Sequence, residues 1–347
     1  MVRPDYGVVD AVGLAILAGW AVWVMIAAAG RAARPEGALL ALLAVTAGYA
    51  AGRILGALLP VLAPAVAALV VLGLVVLPPS RLSAHPDAPP LGYPNADAAL
   101  LVLAIGAACC AAWAAHGTAR RAGLALVAAG SAVAALLLGS AAGFAVGLAV
   151  MLCSLAAARK TRHHRLLGLA GLGLAAALLV GGSCAVVFGT LPAGLSTDLT
   201  GQLTRPRVEL WHRAVGLAER HPVRGVGPER FADASEAPDA LPSDAPSPIT
   251  GTPRSAPFQL AAEQGLPGVA FLAVAYGWLL FALWRSSRPT PVVLSAAAAL
   301  TGLALLATVD HVLSYAVVTA GAGFLAGVAT ARPLADDECG GAADPDD

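Results

Sequence analysis

Residues 291–331 read PVVLSAAAALTGLALLATV, then Asp310-His311, then VLSYAVVTAGAGFLAGVATA. Nineteen uncharged residues precede the acid–imidazole pair and twenty follow it. A bilayer core takes about 20 apolar residues per helix, so each flank has the length of one crossing. The stretch reads as two spans joined by a turn whose ionisable groups are Asp310 and His311.

The same pattern fills the chain. Of 347 residues, 58% are hydrophobic and 12% charged, about half the charged fraction of a soluble domain. No globule could cover that much apolar surface with so few charges, so the solvent is lipid. The fold class expected is all-α, a polytopic membrane helix bundle of about ten transmembrane helices with one large external loop containing short helices. Spans are expected at 7–29, 37–58, 61–78, 97–116, 122–138, 141–158, 167–190, 262–284, 291–309 and 312–331. Within the continuous runs 37–78 and 122–158 only Pro60 and Gly139-Ser140 mark the cuts.

This divides the chain into a bundle of about seven spans over 1–190, an external loop over 191–257, about three spans over 258–332, and a disordered acidic cytoplasmic tail over 333–347. The basic loop Arg159-Lys160-Thr161-Arg162-His163-His164-Arg165 goes to the cytoplasm. Counting outward puts Arg120-Arg121, Arg285, Arg288 and Arg332 on the same side, and both termini in the cytoplasm. Arg31 and Arg34 then fall outside, which means either a misplaced cut in 37–78 or two arginines tolerated there.

The 21 cations balance 21 acids, so net charge points to no nucleic-acid partner. The five cysteines have no metal or disulfide spacing and read as small buried hydrophobes. The histidines form no metal constellation, and neither a cofactor nor a metal is expected.

Seven of the cations, all arginine, fall in 191–257 among eight acids. This is either a solvated loop or an anion site, for which the planar, permanently charged guanidinium is suited. Arg207–Arg220 reads as a short helix stopped by His221-Pro222, with Arg207, Trp211, Ala214, Val215 and Ala218 on one face. That face could serve ordinary packing, or hold a phosphate on Arg207 while Trp211 meets sugar or lipid. Gly225-Val226-Gly227-Pro228 is a tight turn, since a GxG with no preceding strand is not a nucleotide loop.

Arg207-x-x-x-Trp211, then His221-Pro222-Val223-Arg224-Gly225-Val226-Gly227-Pro228-x-x-Phe231, then Phe258-Gln259-Leu260-Ala261-Ala262-Glu263-Gln264-Gly265-Leu266-Pro267-Gly268 resembles the signature of the O-antigen ligase/polymerase family. The resemblance covers roughly residues 120–330 and is most specific in the loop. It implies a glycan ligase or polymerase moving polysaccharide from a polyprenyl-diphosphate carrier to an acceptor hydroxyl at the outer face of the cytoplasmic membrane. No metal or nucleotide sugar is used. Arginines can stabilise the leaving diphosphate, and a base must take the hydroxyl proton.

Two positions depart from the family. Arg254-Ser255 stands where it has a His-Asn pair, nine residues before Glu263. Ala141, within Ser140-Ala141-Ala142-Gly143, stands where it has an arginine. A guanidinium is no base at ordinary pH, so the base must come from elsewhere if the chain is an enzyme.

The expected site is therefore Asp310, His311 and Glu263 for catalysis, Arg207, Arg254 and Arg224 for the donor phosphate, and Trp211 for glycan or lipid contact. Glu263 also fits a structural role just before a span, and Asp310-His311 fits a simple turn. Three functions stay open: a metal-independent glycosyl-transferring enzyme with altered or impaired catalysis, a noncatalytic relative that binds lipid-linked glycan in a polysaccharide-assembly complex, and, third, a transporter of lipid-linked sugar. The partners expected are the lipid-linked donor, a glycan or lipid acceptor, membrane lipids and polysaccharide-assembly proteins.

Overall fold

The structure is a computed structural model and describes residues 5–77, 91, 93–158, 163–188, 205–235 and 252–332. Residues 1–4, 78–90 and 92, Arg159–Arg162, the two flanks of the long loop (189–204 and 236–251) and the acidic tail lie outside the described residues.

Ten apolar helices form the bundle: α1 (Asp5–Ala28), α2 (Glu36–Leu58), α3 (Leu62–Val76), α4 (Pro94–Ala114), α5 (Thr118–Leu137), α6 (Ala141–Ala157), α7 (His163–Val187), α10 (Ala256–Arg285), α11 (Thr290–Val309) and α12 (Ala316–Thr330). Each falls on one expected span. Between α7 and α10 lie α8 (Arg205–Arg220) and the one-turn α9 (Phe231–Ser235), and a 3-10 turn (Val312–Ser314) joins α11 to α12. There is no strand among the described residues. Seven helices are long and apolar enough to cross a membrane, and α3, α6 and α12 are shorter apolar helices. The chain is a multi-pass helical membrane protein.

The two cuts have local causes. Gly139 takes φ +78°, and Ser140 N–H reaches back to Ala135 O while Gly139 N–H reaches Leu136 O. This left-handed stop satisfies the last carbonyls of α5. Ser140 then caps α6, its Oγ accepting from Gly143 N–H at 3.1 Å. Before Pro60, α2 ends with Leu59 N–H on Leu55 O.

Helices α4 and α11 sit at the centre, buried along nearly their whole length. Their faces are mostly Ala, Leu and Val, with Gly106 set against Ala299. Without a hydrophobic drive between helices in lipid, close approach of small residues does the work. The tightest case is α2 on α12. A Cβ on Gly48 or Gly52 would lie 2.1 Å from the carbonyl oxygens of Ala320 and Phe324, and one on Gly323 would lie 2.2 Å from Val45 O.

At the end of the bundle away from α8, arginines meet helix C-termini. Arg165 donates to the carbonyls of Leu283 and Ser286, and Arg288 to those of Ala331 (2.9 Å) and Gly56. Arg53 donates to Thr330 O and pairs with Asp10 at 2.6 Å. Each cation meets orphan carbonyls at the negative end of a helix dipole.

Arg31 lies at the opposite end, beside the long loop, and its position has a reason. Its guanidinium donates to Gly225 O (2.5 Å) and Arg224 O (3.4 Å), while Arg224 Nη2 donates to Ile26 O and to Ala29 O (2.7 Å). The two arginines clasp the α1 terminus to the loop turn. Burial first, then Arg224 and Arg230, holds the Arg31 pKa below its ordinary value.

Candidate functional site

Helix α10 breaks where the sequence demands it. Pro267 has no N–H to give to Glu263 O, and Gly265 takes φ +71°, ψ −169° inside the helix. Three carbonyls in a row then take donors from outside. Ala262 O accepts Val226 N–H (2.8 Å), Glu263 O accepts Gly227 N–H (2.9 Å), and Gln264 O accepts the Trp23 indole N–H (3.1 Å). Leu266 N–H, freed by the break, goes to Pro222 O at 2.8 Å. The His221–Phe231 turn thus docks on the broken helix. Gly225, at φ +59°, has room only for hydrogen, because a Cβ would lie 2.3 Å from the Glu263 carbonyl carbon.

Glu263 is 5% exposed. Its carboxylate accepts the backbone N–H groups of Glu229 and Phe231 and lies 3.4 Å from Gln259 Nε2. Gln264 Oε1 accepts from Trp20 Nε1 at 3.0 Å. Glu263 therefore fixes the start of α9 over the bundle.

Helix α8 packs beside this break. Trp211 is 1% exposed, its indole N–H donates to Pro253 O at 3.0 Å, and its ring lies 5.2 Å from that of Phe258. Ala214, Leu217, Phe231 and Val187 complete the cluster. The ring offers no face to a glycan or a lipid in this arrangement, and Leu217 rather than Ala218 carries the buried stripe onward. Arg207, one turn before Trp211, is half-buried, and its Nε has no hydrogen-bond partner. Pro253, the acceptor for Trp211, precedes Arg254, which places Arg254 beside α8. Arg224 serves the clasp on α1 instead.

A cavity of about 470 Å³ runs between α1, α2, α10, α11 and α12. Its walls are largely apolar (Leu17, Val45, Leu260, Leu279, Leu303, Ala326), and its polar lining includes Glu229, Thr252, Gln259, Glu263, Gln264 and His311 near the loop and Tyr49 and Tyr276 further along. Two of the three expected catalytic residues line it. Among the described residues, Glu229, which lines the cavity, and Arg254 are the non-glycine residues with left-handed backbone, at φ 58° and 50°.

Asp310 breaks from α11 into extended backbone (φ −153°, ψ 169°) and is 4% exposed. Oδ1 accepts the backbone N–H of His311 at 2.8 Å and lies 2.9 Å from His311 Nδ1. Oδ2 accepts Tyr93 Oη–H at 2.7 Å and Asn95 Nδ2–H at 2.6 Å. Burial opposes ionisation, but these hydrogen bonds, His311 foremost, outweigh it and hold the Asp310 pKa down at about 2. The carboxylate is therefore charged and faces His311 Nδ1; an imidazole that donates Nδ1–H to it would carry its lone pair on Nε2. Burial, then the bond to Asp310, pushes the Tyr93 phenol up, while Arg254 acts in the opposite direction from nearby.

Tyr93, Asn95, Gln259 and Gln264 escaped the sequence reading. The signal for the first two was present: Tyr93-Pro94-Asn95 puts two polar side chains around a proline that opens a span.

The cavity, with Glu263 and His311 in its lining, thus lies inside a polytopic helical bundle beneath the docked loop. Residues 124–273, less than half of the chain, match the model of the O-antigen ligase family, and that stretch is similar to it. The match runs from α5 to the first half of α10 and takes in α8, the docked turn and the helix break, but not Asp310-His311. A search of the curated proteins and a search of the solved structures found no match.

Proposed function

We propose that this protein is a metal-independent membrane glycan ligase or polymerase in which Asp310-His311 supplies the base. Glycan-ligase function of the O-antigen ligase/polymerase kind follows in general from the family match. The finer reading concerns the reaction. An acceptor hydroxyl attacks the anomeric carbon of a glycan on a polyprenyl diphosphate. The carbon–oxygen bond to the diphosphate breaks, the diphosphate leaves with the electron pair, and His311 Nε2 takes the hydroxyl proton. Asp310 orients the imidazole and stabilises the imidazolium. Arg254 and Arg207 meet the leaving diphosphate, and the apolar cavity suits the first isoprene units.

The carrying observation is the Asp310–His311 contact, with His311 in the lining of the cavity. In the membrane the loop end faces outward, both termini face the cytoplasm, and the arginines on helix C-termini lie on the cytoplasmic side. A second reading, a noncatalytic relative that binds lipid-linked glycan for an assembly complex, is favoured by Arg254 at the family's histidine position. Incubating the purified protein with polyprenyl-diphosphate-linked glycan and candidate acceptors separates the two. Turnover lost in Arg254→Ala and Arg207→Ala supports the enzyme. Carrier binding without turnover under any acceptor supports the accessory role.

A further inference from the structure

The Asp310 carboxylate is divided between two tasks. Oδ1 serves His311 through both its backbone N–H (2.8 Å) and Nδ1 (2.9 Å). Oδ2 is held by Tyr93 Oη (2.7 Å) and Asn95 Nδ2 (2.6 Å), and Asn95 Nδ2 also lies 3.3 Å from Tyr93 Oη. A carboxylate is planar, so donors fixed on one oxygen fix the direction of the other. The Tyr93 ring then packs on the imidazole, with centroids 4.7 Å apart, and Tyr315 stacks on Tyr93 at 6.2 Å with planes 3° apart. Both the acceptor and the ring plane of His311 are thereby set from the entrance to α4, more than two hundred residues away in sequence.

We infer that Tyr93 and Asn95 are positioning residues for His311: they lock Asp310 so that the imidazole keeps its proton on Nδ1 and presents Nε2 bare. The inference rests on the proposed role of His311 as base. Which ring nitrogen carries the proton is decided by the hydrogen bond the other partner makes. With Oδ2 released, the carboxylate can rotate away from Nδ1, and the tautomer is no longer held. A purely structural strap, tying α4 to the α11–α12 turn, would need the same bonds but would leave the ring's protonation pattern indifferent to them.

The test uses the full-length protein with 15N-labelled histidine in lipid nanodiscs, the His311 resonances being identified by their loss in His311→Gln. The native protein is expected to give the Nδ1–H tautomer. Tyr93→Phe combined with Asn95→Ala is expected to move the signal toward the Nε2–H form and to lower kcat on polyprenyl-diphosphate-linked glycan by about tenfold or more, with KM little changed. Tyr93→Phe keeps the ring stack, and Asn95→Ala alone gives a second variant should the double substitution not remain monodisperse. An unchanged tautomer in the variants overturns the inference even where His311→Gln is inactive. Full turnover in His311→Gln defeats the base reading instead, and the tautomer measurement still decides what Tyr93 and Asn95 do.

Discussion

The docked turn on α10 and the Asp310-His311 turn are built on opposite principles. At α10, the side chains and glycines that carry the family resemblance are consumed in making backbone meet backbone. Glu263 binds two N–H groups, Gly225 and Gly265 permit contacts that a Cβ would forbid, and Trp211 is buried on Phe258. At 310–311, the backbone turns, and side-chain hydrogen bonds hold Asp310 against His311. A signature can thus mark the scaffold of a site, while the groups fit for proton transfer lie outside the matched residues.

That contrast can be broken or sharpened by substitution. The largest effect is expected at the second turn: His311→Ala should lower turnover roughly 10²- to 10⁴-fold, the range for losing a general base, with the unfolding temperature in detergent nearly unchanged. Asp310→Asn should reduce turnover by a large part of that factor, since the amide no longer holds Nδ1–H as an ionic acceptor.

The reverse pattern is expected at α10. Gly225→Val puts a branched side chain at φ +59° against the Glu263 backbone and should cost about 2–4 kcal/mol or prevent folding, read as a fall in the unfolding temperature. Glu263→Leu should cost about 1–3 kcal/mol for each N–H it strands. If Glu263→Gln abolishes turnover without loss of stability, the division between scaffold and chemistry is wrong.

Acid provides a smaller test. The Asp310 pKa is depressed to about 2, so its contribution to stability is present above the unfolded carboxylate value near 4 and is lost as pH falls through about 2. Any acid limb of the pH–rate profile above pH 4 must then belong to another group, and Asp310→Asn should not move that limb by removing its titration. A smaller effect than these is expected from Trp211→Phe, which keeps an aromatic ring against Phe258 but loses one indole hydrogen bond, worth about 1 kcal/mol, and part of the buried volume.

The bundle was legible because bilayer thickness writes its length directly into the sequence. All ten helices stand on apolar runs, and Gly139-Ser140 marked a real boundary. The clasp was not, since it depends on Arg31 reaching a loop nearly two hundred residues away. A shared arginine-rich loop grouped Arg224 with Arg207 and Arg254, whereas the fold sends Arg224 to the end of α1 and ties Pro253, next to Arg254, to Trp211. Helical periodicity gave Trp211 its face but could not say that Phe258 and Pro253 would cover it. Likewise, Asp310-His311 was visible as a polar pair between spans, but its partners come from the start of α4, and no local pattern encodes that meeting.

The central claim is that His311 does the chemistry and Glu263 holds the scaffold. Its most direct test is product formation in proteoliposomes from a polyprenyl-diphosphate-linked oligosaccharide and a panel of acceptors, comparing the native chain with His311→Gln and Glu263→Gln. Transfer is expected from the native chain, none above background from His311→Gln, and from Glu263→Gln in proportion to its folded fraction. Native-level transfer by His311→Gln would contradict it.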